Sequence, residues 1–230
     1  MWRRQNLNFV HILPENRRVL KAFRSTPGLW AEFTLLYLGV PMVLAFALPP
    51  GAMFTVLGVM TVVGLVLLHR TPGFAWHDLT AGNMPWKAVG LGALVTAGVA
   101  VGLTLWLFPA DLFMLPRRMP GLWLAILVLY PVFSALPQEL VFRALFFRRY
   151  GRLFAGRHLS LAVNAIVFAL AHVMYRDPLV LAMTAAGGLA FAWIYAVRGS
   201  FIGAVLLHAI AGGLVFTAGL GHLFYSGAVG

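Results

Sequence analysis

Seven stretches of mostly apolar residues divide the chain: Leu29–Leu48, Gly51–His69, Ala88–Phe108, Gly121–Phe147, Leu159–Val173, Pro178–Val197 and Phe201–Leu220. A helix needs about 20 such residues to cross the hydrocarbon of a bilayer. The pattern predicts an all-α fold, a polytopic transmembrane bundle of about seven to eight helices. The fourth stretch is long and carries Pro131 and Pro137, each of which removes a backbone donor, so a kink or a break into two helices is expected there. The fifth is short for a span, so its helix is expected to start deeper in the bilayer, near Asn164, or to be accommodated by its neighbours. Small residues cluster late, in Ala185-Ala186-Gly187-Gly188, Gly199-xxx-Gly203 and Gly212-Gly213, and are read as close helix–helix packing.

Composition agrees with the pattern. Hydrophobic residues make up 61% of the 230 and charged residues 10%, with a mean hydropathy of +0.89. Soluble domains hold roughly 45–50% apolar and about 25% charged residues. The net charge of +11 does not indicate nucleic acid, because the basic residues sit at the ends of the apolar stretches. Counted over seven spans, thirteen Lys and Arg fall on the side of the N-terminal tail, of Arg70–Lys87, of Arg148–Arg157 and of Arg198, and three on the other side. The positive-inside rule then places the N-terminus in the cytoplasm. Arginine outnumbers lysine 15 to 2, which points to a GC-rich bacterial genome and hence to a bacterial inner membrane. There are no cysteines, which excludes disulfides, thiolate catalysis and Cys-based metal sites.

Residues 1–28 form a basic cytoplasmic or interfacial segment without the pattern of a cleavable signal peptide. Within it Arg17, Arg18, Lys21 and Arg24 alternate with apolar residues, as expected either of a short helix lying on an anionic leaflet or of a solvated positive tail that sets the topology. Residues 29–120 hold the first transmembrane helices, residues 121–221 a polar-bearing helical core, and residues 222–230 a tail. Glu32 lies near the start of its span and is expected to reach the headgroups. His77 and Asp78, between Trp76 and Trp86, are expected in a solvated interfacial loop.

The polar exceptions carry the chemistry. Glu139 and Arg143 lie inside the fourth stretch, where an ionised group costs about 2.5–3.5 kcal/mol on insertion scales. Their i, i+4 spacing puts them on one helix face. His172 follows Phe168-Ala-Leu-Ala, and His208 follows Val205-Leu-Leu. At about 1.5 Å per residue, Glu139 and His208 come out at matching depth; His172 joins them only if its helix is sunk or tilted. One glutamate and two histidines fit two chemistries. They could bind Zn²⁺ and leave a fourth position for water, or, without any metal, a carboxylate acting with a histidine could deprotonate water for attack on a carbonyl, with other polar groups stabilising the oxyanion. Either describes hydrolysis of a peptide bond within the bilayer.

The order Gln138-Glu139-Leu-Val-Phe-Arg143, Phe168-xxx-His172 and His208 resembles the CAAX prenyl endopeptidases and bacteriocin-processing enzymes, the CPBP or Abi family of intramembrane proteases. The resemblance covers about Gly121 to Leu220. It implies a bundle of around eight helices and endoproteolysis of membrane-associated proteins or peptides, with Glu139, His172 and His208 as catalytic residues. Gln138, Arg143 and Phe168 support them, and no cofactor is required. The partners are then the substrate and the lipid bilayer. The chain departs from the family at two positions. The family motifs are Glu-Glu-xxx-Arg and His-xxx-Asn, with the first glutamate activating water; Gln138 stands in its place, and Gly212 stands where the asparagine would be. An amide is no base, so Glu139 is expected to take that role. The alternatives are a non-catalytic pseudoprotease scaffold and a small transporter using Glu139 and the histidines as a proton relay.

Overall fold

The computed structural model describes residues 27–224 and is built from helices, with no strand among the described residues. Seven carry the architecture: α1 (Pro27–Phe46), α2 (Met53–His69), α3 (Trp86–Leu107), α4 (Pro120–Leu153), α5 (Arg157–Leu170), α6 (Pro178–Ala196) and α7 (Phe201–Ala218). Six of them are long and apolar enough to cross a membrane, counting α5 with its following turn to Tyr175, and α2 is a shorter apolar helix of 17 residues. The protein is an integral multi-pass membrane protein. The basic stretch around Arg17–Arg24 lies outside the described residues.

Local chemistry marks the ends of α6 and α7. Asp177 precedes Pro178 and its carboxylate accepts from the backbone N–H groups of Leu179 and Val180 at 2.7 and 3.1 Å. Ser200 caps α7 by accepting from the Gly203 N–H at 3.0 Å. Both side chains satisfy donors that a helix start leaves unpaired. α6 packs along α5, and α7 along α3. Gly188 permits the first of these contacts: a Cβ there would lie 2.9 Å from Phe168 Cδ1.

The fourth apolar stretch does not break at its prolines. α4 is continuous from Pro120 to Leu153 and absorbs them by widening, with π-helical segments at Pro131–Ala135 and Leu140–Tyr150. A wider turn leaves carbonyls without their α-helical partner, and other helices supply donors. Tyr37 of α1 donates to the Val141 carbonyl at 2.7 Å, and the Asn164 side chain of α5 donates to the Phe142 carbonyl at 2.5 Å. Backbone irregularity at membrane depth is tolerated only where protein satisfies it. These two bonds clamp the peptide units on either side of Phe142, just before Arg143.

Three other expectations are corrected. α5 begins at Arg157, not near Asn164, and with its turn is long enough to span. Glu32 does not serve the headgroups: Arg149 donates to it at 2.5 and 2.9 Å, and the Tyr150 hydroxyl donates to it as well. Asp78 is likewise engaged, 3.2 Å from Arg148 at the end of α4, while His77 stays exposed. Charge thus ties α1 and the loop after α2 to the basic end of α4. Glu32→Ala is expected to lower the unfolding free energy in detergent by about 1.5–3 kcal/mol, the worth of a hydrogen bond to a charged group.

Candidate active site

Glu139 closes a short α-helical stretch of α4 between the two π-helical segments and is fully buried. Its two oxygens face different partners. Oε1 accepts from His208 Nδ1 at 2.8 Å, and Oε2 lies 3.2 Å from Arg143 Nε, close but not aligned as a hydrogen bond. Arg143 is also fully buried. Its guanidinium lies 4.4 Å from the centroid of the Phe168 ring and 5.4 Å from that of Phe191, and Nη2 faces the Gly188 carbonyl at 3.5 Å. The charge is spread over two aromatic faces, a partial substitute for water.

His208 projects from α7 into this aromatic cage. Phe191 stacks on it at 4.6 Å between centroids, and Phe168 meets it edge-on at 5.6 Å. A carboxylate can only accept, so Nδ1 carries the proton and Nε2 is left for other partners. The partner present is the Tyr130 hydroxyl, 3.0 Å away.

His172 lies just past the end of α5, with its ring 4.8 Å from that of Phe168. Its Nδ1 is 2.8 Å from the Phe168 carbonyl. A carbonyl also only accepts, so the proton again sits on Nδ1 and the Nε2 lone pair is free. Phe168 therefore stands between two imidazoles held in the same tautomer.

A cavity of about 620 Å³ opens beside them, and all seven helices contribute to its wall. His172 and His208 line it, and Glu139 does not. Most of the wall is apolar. Its polar side is a stripe along α4: Tyr130, Ser134 and Gln138, four residues apart. Gln138 donates to Ser134 Oγ at 2.9 Å, and its buried Oε1 has no partner.

Residues 120–214, from the first residue of α4 into α7, match the family model of the type II CAAX prenyl endopeptidase Rce1-like proteins. The likeness to that family is confined to this segment. No curated protein and no solved structure matched the chain. The matched segment holds every residue named above in the cage and in the α4 stripe. Within the matched segment Phe168 touches Arg143 and both histidines.

Among the described residues no group of three or more His, Asp or Glu is placed to hold an ion. Sequence reasoning passed over Tyr130, Ser134 and Phe191. Tyr130 and Ser134 had a signal: with Gln138 they form a polar i, i+4, i+8 series inside an apolar stretch. Phe191 had none, being one of 18 phenylalanines.

Proposed function

We propose that this Rce1-like protein is an intramembrane endopeptidase whose water is activated by His172, without a metal. One observation carries the reading: two neighbouring imidazoles line one cavity, each with its proton held on Nδ1 by an oxygen and with Nε2 turned over to other partners. His172 Nε2, with no acceptor role already filled, takes a proton from water as the water oxygen adds to the scissile carbonyl carbon. The carbonyl electron pair moves to oxygen. The C–N bond then breaks with its pair on nitrogen, and His172 returns its proton to the departing amine. Gln138, held by Ser134, orients the water. Glu139 acts through His208, because its carboxylate is shielded from the cavity. The substrate is a membrane-associated protein or peptide, and the basic side of the bundle faces the cytoplasm.

Purified protein in liposomes, mixed with quenched fluorescent peptides, tests this. One probe carries an S-prenyl group near its C-terminus and the other a single hydrophobic span. The natural chain is expected to cleave at least one, and His172→Ala to lose about 10²–10⁴ in rate, the usual worth of a general base. Equal rates for the two proteins would refute the assignment of His172.

A second reading also has an observation behind it. The glutamine at position 138 cannot accept water's proton and Glu139 is buried away from the cavity, as in a non-catalytic scaffold that binds membrane segments. Gln138→Glu separates the two readings. Cleavage by that variant alone, with none by the natural chain, would establish the scaffold. The topology has its own check. A cysteine placed at Ala155 in this cysteine-free chain should label from the cytoplasmic side, and labelling only from outside would reverse the orientation.

A further inference from the structure

Position 212 is occupied by a neighbour's side chain. A Cβ on Gly212 would lie 2.3 Å from Tyr130 Cε1, 2.5 Å from Cζ and 2.7 Å from the hydroxyl oxygen. No side chain fits there while the tyrosine holds its place. The phenol comes from α4, one residue before the π-helical widening at Pro131–Ala135. It crosses to α7, lines the cavity and ends 3.0 Å from His208 Nε2.

A phenol hydroxyl has one proton and two ways to spend it. With His208 neutral, the proton points to Nε2. When a stronger acceptor forms in the cavity, the hydroxyl turns about its C–O bond and gives the proton to that acceptor. Glu139 fixes the His208 ring through Nδ1, and Arg143 lies beside Glu139.

We infer that the Tyr130 hydroxyl is the donor that holds the negative oxygen formed during hydrolysis, seated by Gly212 and set by His208 and Glu139. The inference rests on the hydrolytic reading above. It makes Tyr130 a catalytic residue, with Glu139 and Gly212 as positioning residues. No bond is made or broken at the phenol: it contributes a hydrogen bond that strengthens as charge develops on the carbonyl oxygen. It also explains how the chain manages without an amide at position 212, since the space and the donor both belong to Tyr130.

The test uses the two liposome probes, with each variant checked by gel filtration and thermal unfolding. Tyr130→Phe keeps the ring over Gly212 and removes only the hydroxyl. It should lower kcat by about 10²–10³ while KM stays within a few-fold, the behaviour of a lost oxyanion donor. Gly212→Asn alone should lose activity by colliding with the ring. Tyr130→Ala with Gly212→Asn clears the ring and supplies an amide in its place, and should cleave at least tenfold faster than Tyr130→Ala alone. A Tyr130→Phe protein as fast as the natural chain overturns the inference and leaves the role of His172 standing. So does a folded double variant no faster than Tyr130→Ala. No cleavage by the natural chain sinks the hydrolytic reading, and this inference with it.

Discussion

Glu139→Gln is expected to reduce cleavage on the order of 10⁴-fold, the size seen when the carboxylate of an Asp–His pair becomes an amide. The geometry explains why an isosteric change should cost so much. Two donors converge on Glu139, His208 Nδ1 at 2.8 Å and Arg143 Nε at 3.2 Å. A carboxylate meets both with an acceptor. An amide has one oxygen and one NH₂ group, so one of the two would face another donor. Arg143 keeps its charge and the stronger claim on the oxygen, and His208 is left to rotate or to adopt the other tautomer. Either response breaks the arrangement with Tyr130. Cleavage is measured beside thermal unfolding, because the change also touches the buried ion pair. A folded Glu139→Gln protein that cleaves normally would reduce Glu139 to a structural clamp.

Arg143→Leu should be the most destabilising single change in the core. Glu139 and Arg143 are both fully buried, and removing one member of a buried pair strands the other's charge, at about 3–5 kcal/mol. The contact with the Phe168 ring is lost too. Glu139→Leu with Arg143→Leu should recover part of that stability, since an apolar pair leaves no charge behind, yet stay inactive. Unfolding free energies in lipid bicelles read both effects. A single variant as stable as the natural protein would mean that water reaches the pair.

Seven helices were legible because spanning a bilayer imposes one requirement, an unbroken run of apolar residues, and the run is visible in any single sequence. Their ends fell within a few residues of expectation at most boundaries. The prolines misled, because Pro131 and Pro137 announce a lost donor without saying how the chain responds. The widening that follows at Leu140–Tyr150 is met by Tyr37 and Asn164, which come from α1 and α5 and donate to the Val141 and Phe142 carbonyls. Glu32 and Asp78 misled for a related reason. A carboxylate near the end of a span reads the same whether water or an arginine from a distant helix is its partner.

Glu139, Arg143, His172 and His208 could be picked out from the chain alone, since an ionisable or imidazole group in an apolar run is costly and therefore conspicuous. Their division of labour could not. Burial separates Glu139 from the cavity, and a backbone carbonyl fixes the tautomer of His172. Tyr130 fills a space that the sequence shows only as a glycine at position 212. Periodicity and cost are properties of one helix and are written along it. Hydrogen-bond partners, tautomers and cavities are properties of several helices at once, so they exist only after α4, α5, α6 and α7 have packed.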